Sequence, residues 1–268
     1  MRRVKIFRFL KEGEVKYGVL DGQEACELLG SPFGLHRKGP KLGPVSDLRI
    51  MAPCEPTKVV AVGANYVLHA HELKWELPKE PNLFFKPPSS VIGNLDGIVY
   101  PPITEQLDYE AELVVVIGSR CRDVPSNRVM EHILGYTCGN DVTARDLQKS
   151  DLQFTRSKGC DTFCPLGPWI ETEMDPHDKR VRLRLDGSLR QDGTTADMIF
   201  SVEELVSYAS NFMTLEPGDV IMTGTPPGVG PMSVGSVVEV EVEGVGCLRN
   251  AVVPSPYPSG QTEWRKSQ

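Results

Sequence analysis

Asp108 to Gly118 reads DYEAELVVVIG, and places Glu110 and Glu112 one residue apart at the head of an otherwise apolar run. Successive side chains of a strand point to opposite faces, so Glu110, Glu112, Val114 and Val116 share one face and Ala111, Leu113, Val115 and Ile117 the other. Both faces are apolar beyond the glutamates, which predicts a strand covered on both sides with two carboxylates at its end. Buried carboxylates are costly to keep ionised without a partner. A cation between them resolves the cost. Val238 to Glu243, VEVEVE, has the same acidic spacing, but only valines alternate with the acids, which predicts a strand with one wet face.

A cation site needs a third ligand. The stretch YTCGNDVTARDLQ offers Asp141, where an apolar strand-like start gives way to polar residues, with Asp146 as its competitor. An Asp after Gly-Asn is also a common turn residue, so spacing alone leaves the choice open. Three carboxylates without a His/Cys cluster specify a hard divalent ion, Mg²⁺ or Mn²⁺.

The chain has 268 residues, 40% apolar and 24% charged, an ordinary globular balance with a net charge of −7. No concentrated Lys/Arg face is visible, which argues against nucleic-acid binding. No apolar run approaches a membrane span, and MRRVKIFRFL does not read as a signal peptide, so a cytoplasmic setting with no membrane partner is expected. Seven dispersed cysteines read as reduced and mostly buried. Cys160-x-x-x-Cys164 with His177 lacks a fourth zinc ligand, and the position four after His71 is Trp75, so neither zinc pattern is complete. There is no Gly-x-Ser-x-Gly, and GTPPGVG at 224–230 lacks the Gly-Lys-Ser/Thr of a phosphate loop.

VKIFRF and VKYGVL around KEGE predict an N-terminal hairpin, and HRKGPKLGPVSDLRIMAPCEP a link to a second unit beginning near Thr57. Short β runs dominate thereafter: KVVAVG, NLFFK, GIVYP, ELVVVIG, VRLRLDG, DVIMTG and SVVEVEV. Ser126 is expected to cap a helix over NRVMEHILG, and Ser201 with Glu204 to form a capping box. The expected class is mainly β with a few helices (α+β), organised as a small N-terminal β domain (1–50), a catalytic domain (57–253) and a loose C-terminal tail (254–268).

The ordered series GANYVLHAHE, FFKPPSSVIG, DYEAELVVVIG, GNDVTARDLQ, SKGCDTFCPLGPW and MTGTPPGVG resembles the catalytic domain of the fumarylacetoacetate hydrolase family. The resemblance covers about residues 57–253, and the leading β unit resembles the small first domain of many members. It implies a mixed β-sandwich roll, a homodimer, and Mg²⁺- or Mn²⁺-dependent work on small 2-oxo acids and β-diketo acids. It also assigns Glu110, Glu112 and Asp141 to the metal, in preference to Asp146. Lys158 matches a lysine at the substrate or its enolate oxygen, and Gln148 and Thr225 match groups that hold carboxylate and carbonyl oxygens. Arg145 and Lys86 fall at substrate-binding positions nearer the rim. His69 and Glu72 match a His-x-x-Glu dyad of the hydrolytic members. The fourth acidic metal ligand of the larger founding enzyme has no counterpart in AVGAN.

The chemistry is consistent with these residue types. Breaking the bond beyond C3 of a 2-oxo acid leaves charge on a pyruvate enolate, which a divalent metal and a lysine stabilise. Histidine deprotonates water near neutral pH, and a spacing of three places Glu72 on the helical face of His69. The expected function is therefore C–C bond hydrolysis of an acylpyruvate or related β-diketo acid. The alternative is decarboxylation of oxaloacetate, or isomerisation or hydration of an unsaturated 2-oxo diacid in aromatic catabolism; a non-catalytic acid-binding protein is the third reading. Residues from about Tyr66 to Pro81, polar and proline-bounded, read as a closing lid. Phe154, Trp75 and Tyr66 are candidates for pocket lining or for core, and Arg145 for a structural partner of Asp146 or Asp151.

Overall fold

A computed structural model describes residues 4–72 and 74–256. The stretch around Glu110 serves two sheets. Leu107–Tyr109 pairs with Thr143–Ala144 and Gly230–Met232 in a three-stranded sheet, whereas Ala111–Ile117 is an inner strand of a twelve-stranded one. The expected single strand is therefore interrupted at Glu110. There the backbone N–H donates to the Asn140 side chain (2.9 Å), and the Glu110 carbonyl accepts from Asp141 N–H (2.9 Å).

Every residue of Ala111–Ile117 is buried, as its two apolar faces require. Val114 and Val116 pack with Val59, Ala61, Leu166 and Met222. Leu113, Val115 and Ile117 face a second core with Leu205, Ala209, Val181 and Val240. Truncating a residue such as Leu113 to Ala would cost about 2–5 kcal/mol, because close-packed neighbours relax only partly into the void.

The large sheet runs His36–Pro44, Glu24–Gly30, Glu14–Asp21, Lys5–Lys11, Cys164–Glu171, Ile133–Asn140, Ala111–Ile117, Val220–Met222, Val59–Gly63 and Asn82–Lys86. The N-terminal hairpin is present, with Lys11 opposite Glu14 and positive φ at Glu12 and Gly13, as a two-residue primed turn needs. Its first strand pairs with Cys164–Glu171, so the leading strands continue the central sheet. The segment expected as a link instead contains the edge strand His36–Pro44 and Arg49–Met51, which pairs with Lys5–Lys11. Pro40 is compatible with that strand because an edge has one side free of ladder bonds.

A five-stranded sheet covers the second core in the order Ser188–Thr194, Arg180–Leu185, Val237–Val242, Gly246–Pro254 and Gly97–Tyr100. In Val237–Val242 the valines at 238, 240 and 242 are buried and the glutamates between them face outward, with Glu239 opposite Arg249. The one-wet-face reading holds. Helix Val202–Phe212 has the expected capping box between Ser201 and Glu204. The helix expected over NRVMEHILG is a 3₁₀ segment, Ser126–His132, without a side-chain cap, and Ile133 onward joins the ladder beside Ala111–Ile117. Sheet pairing has overridden the local helical pattern. Pro254 ends the last strand, and residues 257–268 of the expected tail lie outside the described residues. Among the described residues, no helix is long and apolar enough to cross a membrane.

Candidate active site

The break at Glu110 brings the ends of two sheets together, and the acidic groups meet there. Glu110, Glu112 and Asp141 are buried and offer carboxylate oxygens that all lie within 4.8 Å of one another. Asp146 is elsewhere, accepting from the Thr104 hydroxyl and the Glu105 N–H. Lys158 Nζ bridges Glu110 Oε2 (2.8 Å) and Asp141 Oδ2 (2.6 Å). Arg145 donates to Glu110 Oε1 (2.5 Å), Asp108 Oδ2 (2.8 Å) and Gln148 Oε1 (2.6 Å).

Glu112 differs from its two neighbours. Its Oε2 accepts the Gly224 N–H at 2.8 Å, and among the described residues no cationic side chain pairs with it. Burial, and then the Asp141 and Glu110 carboxylates, hold its acid well above the usual carboxylate range. For Glu110, burial acts upward, but the Lys158 and Arg145 cations outweigh it and the net shift is downward. Lys158 has the complementary balance: burial acts downward, and Asp141 and Glu110 raise it. The cluster is thus short of positive charge at Glu112, and its donors are all carboxylate oxygens. That combination fits a hard divalent cation. Gly224 sits at φ +91°, and an added Cβ would come within 2.7 Å of Asn65 Cβ, so glycine allows the loop to present its N–H here.

His69 and Glu72 lie on the short helix Val67–Glu72, and Nδ1 of the buried His69 meets Glu72 Oε2 at 2.9 Å. The other carboxylate oxygen accepts from Gly228 N–H (3.0 Å). Asn65 anchors the base of this segment through its side-chain bonds to Phe200 and Thr223. His69 lines a small cleft together with Glu110, Lys158, Arg145, Gln148, Thr225, Trp75, Phe84 and Phe154. Cationic donors, a hydroxyl, an imidazole and aromatic walls therefore face one small space.

Several positions differ from the sequence reading. Lys86 and Arg145, expected nearer the rim, are both buried. Lys86 Nζ bonds Asp141 Oδ1 (2.5 Å) and, among the described residues, is outside the cleft lining. Arg145 reaches Asp108 and Glu110 rather than Asp146 or Asp151; Asp151 pairs with Arg156. Buried cations must be matched by nearby carboxylates, and the acidic cluster supplies them. Trp75 and Phe154 line the cleft, whereas Tyr66 is buried in the core. Asp108, Asn140 and Gln191 contact the site's residues without having been singled out from sequence. Asp108 and Asn140 stand inside the motifs already quoted. Gln191, in SLRQDGT, had no signal, because a polar residue in a polar hairpin reads as solvated. All seven cysteines are free, with Cys247 exposed and Cys160 half-buried.

Comparison with known proteins matches most of the chain. The profile described as fumarylacetoacetate (FAA) hydrolase C-terminal matches residues 58–253, and one described as Rv2993c-like, N-terminal matches residues 4–53. Protein Rv2993c of Mycobacterium tuberculosis is 41% identical over 265 residues, covering 95% of this chain and 100% of that one. The mitochondrial oxaloacetate tautomerase FAHD2A of Homo sapiens is 39% identical over 259 residues, covering 92% of this chain and 79% of that one. The crystal structure of 2-hydroxyhepta-2,4-diene-1,7-dioate isomerase from Mycobacterium marinum superposes with a TM-score of 0.88 at 40% identity, covering 95% of this chain and 100% of that one.

Proposed function

The chain belongs to the fumarylacetoacetate hydrolase family, and from that premise we propose that it moves a proton within a small 2-oxo dicarboxylic acid, interconverting keto and enol forms. The observation that carries this reading is a buried imidazole, held by a carboxylate, in the same cleft as Lys158 and Arg145. With its Nδ1–H donating to Glu72, His69 keeps the Nε2 lone pair for a proton at C3 of the substrate. The C3–H bond breaks, the electron pair moves toward the 2-oxo oxygen, and the proton is delivered to that oxygen; the reverse path is the same. Nothing is gained or lost overall. Arg145, Gln148 and Thr225 bind the carboxylate end, and Lys158 faces the oxygen that gains charge. A divalent cation held by Glu110, Glu112 and Asp141 would supply further positive charge for that oxygen. The named activities of the human tautomerase and the mycobacterial isomerase support this reaction class.

Hydrolysis of an acylpyruvate is the second reading, favoured by the same dyad, since an imidazole backed by a carboxylate also suits deprotonation of water. One panel separates the two. With Mg²⁺ or Mn²⁺ present, ultraviolet decay of enol-oxaloacetate is followed beside pyruvate release from acetylpyruvate, fumarylpyruvate and oxaloacetate. Acceleration of enol decay above the other rates is expected. Cleavage of acetylpyruvate without any acceleration of enol decay would transfer the assignment to the hydrolase.

A further inference from the structure

We propose that Gln191 is a positioning residue that sets the Thr225 hydroxyl to donate its hydrogen bond into the cleft. Gln191 is fully buried on the strand Ser188–Thr194, directly after three exposed residues. An amide at that depth is tolerated only when its polar atoms are paired. Its Nε2 donates to Thr225 Oγ1 (2.8 Å) and to the Pro226 carbonyl (2.7 Å), and its Oε1 accepts from Ala111 N–H (2.9 Å). Ala111 N–H can only donate and the Pro226 carbonyl can only accept, so the two ends of the amide are fixed by chemistry.

The consequence falls on Thr225. Its oxygen already accepts from Gln191, so its own proton must point away from that amide. Thr225 lines the cleft with Lys158, Arg145 and Gln148. A hydroxyl donor there suits an anionic oxygen, and the identity of that oxygen, a carboxylate or 2-oxo oxygen of a 2-oxo acid, rests on the function proposed above. Ala111 stands between Glu110 and Glu112, so one amide ties the acidic strand entry to the loop carrying Thr225.

Gln191→Glu reverses the polarity of this contact: a carboxylate accepts from the Thr225 hydroxyl and draws its proton out of the cleft. Gln191→Met keeps side-chain length without hydrogen bonds and serves if the Glu variant does not fold. The probe is oxalate binding with Mn²⁺ by calorimetry, with Mn²⁺ affinity alone measured by electron paramagnetic resonance. Each variant is repeated in a Thr225→Val background. The expected result is oxalate binding weakened about 10-fold or more by Gln191→Glu, and less by Gln191→Met. Mn²⁺ affinity should stay within about twofold of the parent, and the oxalate penalty should nearly vanish in the Thr225→Val background. An equal penalty in both backgrounds overturns the proposal. So does loss of Mn²⁺ together with oxalate, which would make Gln191 a scaffold for the carboxylates. A parent protein that binds Mn²⁺ but no oxalate overturns the proposed function and this inference together, whereas failed coupling with intact oxalate binding removes only this inference.

Discussion

Glu112→Gln should make the metal-free protein more stable and the metal-bound protein less so. Glu112 is buried, accepts one backbone hydrogen bond and, among the described residues, has no cationic partner. Burial and the neighbouring Asp141 and Glu110 carboxylates raise its acid well above the ordinary value of 4.5. A group with a raised folded-state pKa contributes stability that is complete below its unfolded value and is lost as pH rises through the folded one. At neutral pH the metal-free fold therefore carries a penalty at Glu112 that is absent below the unfolded value. Glutamine keeps the shape and can still accept from Gly224 N–H, but has no proton to take up. In EDTA at pH 7 the variant should therefore unfold at a higher temperature than the parent. The gap should close as pH falls toward 4.5. Adding Mn²⁺ at about 100 times its Kd should stabilise the parent by about 2.7 kcal/mol and the variant by much less. Scanning calorimetry across pH, with and without Mn²⁺, reads all of these effects. A variant less stable than the parent in EDTA, or one with an undiminished Mn²⁺ shift, refutes the reasoning.

His69→Ala should lower turnover by the ~10²–10⁴-fold characteristic of a lost general base, with Mn²⁺ affinity near that of the parent; steady-state kinetics beside metal titration checks both. Gly224→Ala would force a Cβ toward Asn65 at φ +91° and disturb the N–H held by Glu112. A loss of about 1–3 kcal/mol in urea unfolding, with weaker Mn²⁺ binding, is expected, and an unchanged midpoint and affinity would count against the loop's role. Amide exchange from Tyr66 to Pro81 should slow when oxalate and Mg²⁺ are added together if this segment closes over the cleft; exchange unaffected by demonstrated oxalate binding would exclude closure.

The sequence by itself determined the parts of this protein that depend on periodicity and local chemistry. The doubly apolar run after Glu112 could be satisfied only by cover on both faces, and Val237–Val242 could keep its glutamates only by leaving one face wet. The Ser201 capping box is likewise local, since its partners are three residues apart. The helical pairing of His69 with Glu72 is local for the same reason. What only the tertiary structure decided depends on contacts between distant segments. The break at Glu110 is fixed by Asn140, thirty residues away, and the burial of Lys86 by Asp141, fifty-five residues away. Local pattern was also misleading where a sheet competed for the chain, as at Ile133, whose helical surroundings yield to the ladder beside Ala111–Ile117. Gln191 is the limiting case: its surroundings are polar, its neighbours are exposed, and it acquires three partners only because the fold folds Ala111, Thr225 and Pro226 around one amide. A buried polar group is defined by its partners, and those partners come from segments far apart in the chain.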